Sequence, residues 1–343
     1  MKTNFVSKFL GMLAAIACAI PTPAIAQACP LRPPAPGTVS GPLASAQPRV
    51  FNSPQMVSFV SGLSRDEDGN PRAYHRGLAT AEEVDPGLDH ICNGLTILEL
   101  SNGRLRDKYS RDGSGGPLSE GTREQRRPRV RACKRDYIAL RDAGFPPCSP
   151  GRLCADFYGI AVAPRECGFG RGTATRPDTG CGVPILQRDA EGRPNGFYLT
   201  TNTLIRPGAS APFIQSDYAD ALVVPFIVMP GGQRLPTSTQ WEPGDLALVA
   251  WRGRVAYAVV GDTGPRSKIG EASRALLQRL GTTSVGDNDP ATTVLFPGTF
   301  QAIRARPWPL TAEVIEEEVR RALASVPGGV PALRVCPGLG ALN

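Results

Sequence analysis

Beyond Asp156 the apolar residues fall in short runs, DFYGIAV, GVPILQ, GFYLTTNTLI and ALVVPFIVM, bounded by Gly, Pro and Asn. Runs of that length, rich in β-branched and aromatic side chains, predict β-strands. Earlier strand-like runs begin near Val57. WEPGDLALVAWRGRVAYAVVGD reads as two strands joined at Arg252–Arg254, with Gly253 in the turn. Then the period changes. Ala272, Ala275, Leu276 and Leu280 recur at helical spacing over Glu271–Leu280, and Gly281 stops that helix. Thr311–Ser325 is a cleaner helix: Thr311 caps it, Glu313 and Glu316 fall early, and Arg320 and Arg321 fall late. Val314, Ile315, Val319, Ala322 and Leu323 form its apolar stripe. Many short strands, few helices and no βαβ rhythm predict a mainly β (β-rich α+β) chain. The expected architecture is a compact β-barrel with a few peripheral helices rather than a parallel sheet.

The pattern breaks in two places. Residues 27–50 are rich in Pro, Ala, Ser and Gly and read as a flexible lead-in, pinned if Cys29 is bridged. A polar stretch at about 101–135 carries eleven Arg/Lys against four acids. Within and just beyond it, RACKRDYIALRDAG places Tyr137, Leu140 and Ala143 on one side of a helix. The stretch reads as a solvated basic insertion ahead of a functional basic patch. These breaks divide the chain into a leader at 1–26, the lead-in, a main domain at 51–310 and a helical, Cys-containing tail at 311–343.

The leader has a short basic start, the apolar run FLGMLAAIACAI and a small-residue site ending at Ala26, which predict a secretory signal peptide. A lipoprotein reading on Cys18 is weaker, because Ala-Ile-Ala before it is a poor lipobox. Cleavage leaves Cys29, Cys92, Cys133, Cys148, Cys154, Cys167, Cys181 and Cys336. An even count in an exported chain predicts up to four disulfides, and an extracellular or periplasmic destination. Cys148 and Cys154 suit a small loop closure. Zinc is disfavoured: there is no C-x-x-C pair, and His75 and His90 are the only histidines. The charge of +7 falls to +5 without Lys2 and Lys8, which implies solubility and no nucleic-acid partner. No stretch after the leader is long and apolar enough to span a bilayer.

The chemistry concentrates in GDTGPRSKIGEAS, residues 261–273. Asp262-Thr263-Gly264 repeats the triplet Asp178-Thr179-Gly180, but the two are 84 residues apart without a surrounding repeat, which disfavours a two-lobed aspartic protease. The local pair is a better unit. Asp262 leaves an apolar strand, where burial raises a carboxyl pKa, and Glu271 enters the expected helix, whose dipole favours the ionised form. One protonated and one ionised carboxyl are what glycoside hydrolysis needs. The bland alternative is a turn at Asp262 and a dipole-complementing Glu271. Lys268 and Arg266 between them either hold Glu271 ionised or face water. Asp66, Asp68, Glu82, Glu83, Asp85 and Asp89 form an acidic N-terminal cluster, with Tyr74 and His75 adjoining. Asp245 reads as a turn residue and Trp251 as core.

With the apolar strand before it and ASRALLQRL after it, GDTGPRSKIGEAS resembles the catalytic segment of the fungal-type chitosanases, glycoside hydrolase family 75, and their bacterial relatives. Further similarity runs in family order through DEDGNPRAYH, GLD, DFYGIAV, GFYLTTNTLI, DALVVPFIVMPGG and PGDLALV, covering most of residues 57–281. The basic insertion and extra cysteines depart from the pattern. The resemblance implies a double-psi-like β-barrel and an inverting, secreted hydrolase that needs no metal or organic cofactor. It implies Asp262 and Glu271 as the essential pair. Asp66, Asp68, Tyr74, His75, Asp89 and Lys268 are the candidate substrate-binding residues, and a monomer acting on a polysaccharide is expected. Two readings stay beside it: a hydrolase of peptidoglycan or another amino-sugar polymer, and a non-catalytic carbohydrate-binding or envelope protein on the same fold.

Overall fold

The computed structural model describes residues 28–52, 55–77, 88–118, 120–164, 180–210 and 213–342. The predicted leader, Glu82, Glu83, Asp85, Cys167 and Asp178 lie outside the described residues, as does the side chain of Asp89.

The chain is mainly β. In order come β1 (Arg49–Asn52), β2 (Gln55–Ser61), β3 (Ser64–Asp66), β4 (Leu95–Ser101), β5 (Arg104–Asp107), β6 (Cys154–Phe157), β7 (Val162–Pro164) and β8 (Gly180–Pro184). They are followed by β9 (Leu186–Arg188), β10 (Pro194–Tyr198), β11 (Phe226–Pro230), β12 (Leu246–Trp251), β13 (Arg254–Gly264), β14 (Glu271–Ser273) and β15 (Ala291–Phe296). The helices among the described residues are α1 (Pro42–Ser45), α2 (Arg123–Asp142), α3 (Arg274–Arg279), α4 (Phe300–Arg304), α5 (Ala312–Ala324) and α6 (Gly329–Arg334).

Eight strands form one mixed sheet in the order β1-β2-β15-β12-β13-β11-β14-β3, and five form an antiparallel sheet, β5-β4-β6-β8-β7. The central strands of the eight-stranded sheet are buried on both faces. Along β12, Leu246, Leu248 and Ala250 pack with Ile315, Val319 and Leu323 of α5 and Leu333 of α6. The alternate residues Ala247 and Val249 pack on the other side with Leu276 and Leu277 of α3. This period-two division is why the strand reads as continuously apolar. A third core joins the smaller sheet to α2 through Ile97, Phe157, Cys133 and Tyr137.

The β12–β13 hairpin forms where its sequence places it. Trp251 pairs with Arg254, and Arg252 and Gly253 both take positive φ (46° and 75°), the left-handed pair that a two-residue turn matching strand twist requires. α5 also follows its pattern, with the Thr311 hydroxyl accepting from the Val314 N–H. α2 runs further than expected. Its N-terminal half, with Arg126 and Arg127, is solvated, whereas its C-terminal half buries Cys133, Tyr137 and Leu140.

One expectation is overturned. The helix expected over Glu271–Leu280 starts at Arg274, and Glu271 lies in β14 instead. The cause is Ser273. Its hydroxyl accepts from the Leu276 N–H as the helix cap, accepts from Phe226 N–H and donates to Val224 C=O, fixing the residues before it as strand. The helix dipole therefore does not act on Glu271 from within its first turn.

Cys29–Cys336 links chain positions 307 apart, Cys92–Cys133 ties the 3-10 helix Leu88–Asn93 to α2, and Cys148–Cys154 closes the small loop its spacing predicts. Cys181 is also disulfide-bonded. Such bonds suit an oxidising compartment. No helix among the described residues is long and apolar enough to cross a membrane.

Candidate active site

Asp262 stands near the end of β13, which pairs in parallel with β11. The register slips there: Ile227 faces Val260, but Val228 faces Asp262, leaving Gly261 as an extra residue. Without that bulge Asp262 would project to the opposite face. Glycine is required at the bulge, because a Cβ on Gly261 would lie 2.2 Å from Cγ of Phe226. The Gly261 carbonyl, turned outward, accepts from the Leu204 N–H at 2.9 Å.

Val228 in turn faces Glu271 of β14, and Glu271 faces Ser64 of β3. Asp262, Val228, Glu271 and Ser64 thus form a row across four strands, with side chains on one face. Asp66, two residues beyond Ser64, shares that face. Three long-range pairings gather the carboxylates. The interval between Asp262 and Glu271 in sequence is bridged in space by β11.

Asp262 is 3% exposed. Its Oδ1 accepts from Thr203 N–H (2.8 Å), Thr203 Oγ1 (3.0 Å) and Thr263 N–H (2.7 Å). Thr263, the middle of the Asp-Thr-Gly triplet, therefore clamps the aspartate before it. Glu271 is partly open. Its Oε1 accepts from Lys268 Nζ at 2.7 Å, and the same ammonium donates to Ser64 Oγ at 2.8 Å. The third residue of the triplet serves Glu271: a Cβ on Gly264 would come within 2.8 Å of both Glu271 Oε2 and Val228 Cγ1.

The Asp66–Tyr74 loop adds two carboxylates. Oδ1 of Asp66 accepts from the Asp68 N–H at 3.0 Å, while its Oδ2 is buried with no hydrogen-bond partner. Burial first, then the charges of Asp68 and Asp262, push the Asp66 carboxyl well above the usual range, and Glu271 adds to this. Asp68 accepts from the Tyr74 hydroxyl at 2.6 Å. That phenol is raised by burial and by the Asp68 charge. The loop turns at Gly69 (φ 84°), where a Cβ would strike Asn202 Nδ2 at 2.2 Å and Ala219 O at 2.3 Å.

The structure therefore brings together Asp66, Asp68, Tyr74, Asp262, Lys268 and Glu271. His75 takes another direction. Its ring meets Phe197 edge-on at 4.8 Å, and its Nδ1 accepts from the Gly77 N–H. Arg266 packs near Gly231 and Gly232. Asp245 is a turn residue, with its two oxygens accepting from Glu242 and Phe300 N–H groups. Among the described residues, no group of three or more His, Cys, Asp or Glu is arranged to hold a metal ion.

Tyr158, like Thr203 and Ser64, is a site residue the sequence did not single out. It follows β6 and is 43% exposed, yet its hydroxyl is raised by burial and then by Asp68, Asp107, Glu271 and Asp66. Gly159 explains the closeness, since a Cβ there would lie 2.1 Å from Asp68 Oδ1. The signal in the sequence was the aromatic–glycine break inside DFYGIAV, which breaks the alternation of a buried strand.

Comparison with protein-family models and with curated proteins gives no match.

Proposed function

We propose that the chain is a secreted glycoside hydrolase resembling chitosanases, which cleaves β-1,4-linked glucosamine-type polysaccharide within the chain and with inversion. The observation that carries this reading is the register row, in which Asp262 and Glu271 stand on one face with Val228 between them. Two strand spacings separate their Cα atoms by roughly 9.5 Å. That leaves the carboxyls able to span the ~6.5–9.5 Å gap in which an inverting enzyme holds a water.

Asp262 acts as the acid and Glu271 as the base. Asp262 protonates the glycosidic oxygen as the C1–O bond breaks. A water on the opposite face of the sugar attacks C1 and loses its proton to Glu271. Lys268 holds Oε1 of Glu271, which leaves Oε2 to take the water's proton. Glu271 later releases its proton to solvent, and Asp262 is reprotonated. The parallel pairing of β11 with β13 and of β14 with β3 in an otherwise antiparallel sheet supports the double-psi-like barrel that the resemblance implies.

Substrate charge bears on the polymer. A polycationic chain is a poor match for a net positive protein, but Asp66, Asp68, Asp262 and Glu271 make the site locally acidic. The overall positive charge favours a second reading, in which the polymer is peptidoglycan. A reducing-end assay on chitosan, chitin and peptidoglycan, with the Asp262→Asn/Glu271→Gln double variant as control, separates these. Release from chitosan alone supports the first reading, and release from peptidoglycan alone supports the second. Binding without turnover on every polymer leaves a carbohydrate-binding protein.

A further inference from the structure

Tyr158 combines two properties that rarely meet. Its surface is 43% open, whereas the tyrosines of the adjoining core, Tyr74, Tyr109, Tyr137 and Tyr198, are at most 6% exposed. Its backbone is also firmly held. The Tyr158 and Gly159 N–H groups both reach the Gly94 carbonyl, at 3.1 and 3.2 Å. Gly94 itself is packed on the Tyr74 ring, where a Cβ would come within 2.8 Å of Cζ. Tyr74 holds Asp68, and Asp68 is bound through its N–H to Asp66 in the carboxylate row. An aromatic residue is thus anchored through its backbone at the rim of the site, with 43% of its surface open.

A pyranose presents a face of axial C–H groups that packs on an aromatic ring, while its hydroxyl and amino groups seek carboxylates at the edge. An exposed phenol beside a row of carboxylates offers both. We propose that Tyr158 is the aromatic platform of a sugar subsite beside the carboxylate row, stacking on one sugar unit of the substrate. The proposal rests on the glycoside hydrolase reading and names a residue that sets affinity rather than chemistry. Where the sugar carries a protonated amine, the same face also attracts it as a cation.

The test is binding and turnover of a glucosamine hexamer by Tyr158→Ala and Tyr158→Phe proteins, with Asp262→Asn protein used for affinity in the absence of cleavage. Loss of the ring raises KM, and Kd in the Asp262→Asn background, by about tenfold, the size of one aromatic contact. Under the proposal kcat stays within about twofold and Tyr158→Phe keeps most of the affinity. Unchanged KM and Kd in Tyr158→Ala would overturn the platform while leaving the hydrolase reading intact. An equal loss in Tyr158→Phe would also overturn it, placing the effect in the hydroxyl. Failure of the Asp262→Asn protein to bind either this hexamer or its N-acetylated counterpart would remove both readings together.

Discussion

Gly264 and Glu271 share one space: a Cβ on Gly264 would stand 2.8 Å from Glu271 Oε2. The Asp-Thr-Gly triplet is thus built around two carboxylates. Its aspartate is re-aimed by the Gly261 bulge, its threonine N–H clamps that aspartate, and its glycine leaves room for the glutamate.

Gly264→Ala tests this relationship. Glu271 can yield by moving its carboxylate, but Val228 Cγ1 lies equally close in the core and must give as well, so stability should fall by about 1–3 kcal/mol. The displaced base is a larger matter, because misplacement by about 1 Å costs around a hundredfold in rate. We expect kcat/KM to drop about that much with a small shift in thermal midpoint. Full activity in Gly264→Ala would show that the position of Oε2 is unimportant.

Lys268→Met removes the ammonium from Glu271 and Ser64. The Lys268 side chain is 46% exposed, so water and salt screen the pair. The expected loss in kcat is about two- to fivefold, with Lys268→Arg recovering most of it. Steady-state kinetics of the two variants decide it, and equal losses in both would mean that charge is not what Lys268 contributes.

Asp66 carries a stability signature. Burial pushes its carboxyl well above the usual range in the folded protein, whereas the unfolded chain gives up that proton at about pH 4. Between that pH and its raised folded value the native state binds more protons than the unfolded state, so stability falls as pH rises. Asp66→Asn removes this titration, because an amide takes up no proton on folding. The variant should be more stable than the parent at pH 7, with the difference vanishing below about pH 4. Urea unfolding at both pH values measures this, and a less stable variant at pH 7 would contradict it.

Local features were legible in the sequence for a physical reason: each is determined by neighbouring residues. Period-two apolar runs gave the strands of the β12–β13 hairpin, Arg252–Gly253 its turn, and Thr311 the start of α5. The apolar strand before Asp262 placed that carboxyl at a strand end. The rest depends on contacts between distant segments. Glu271 reads as the first turn of a helix because Ala272, Ala275 and Leu276 carry a helical period, but the Ser273 hydroxyl is bound to Val224 and Phe226, far away in sequence. The bulge at Gly261 is invisible without the register of β11, and Asp66 joins the row only because β3 pairs with β14. Tyr158 looked like one more strand aromatic until its exposure was known.

The most direct test of the Asp262–Glu271 pair is the rate of new reducing ends on a glucosamine polymer for the parent, Asp262→Asn and Glu271→Gln. Circular dichroism and the thermal midpoint serve to establish that each variant is folded. We expect the parent to turn over and each folded variant to lose at least about a hundredfold in kcat, the lower bound for removing a general acid or base. A folded variant of either kind that hydrolyses at the parent's rate would contradict the pair.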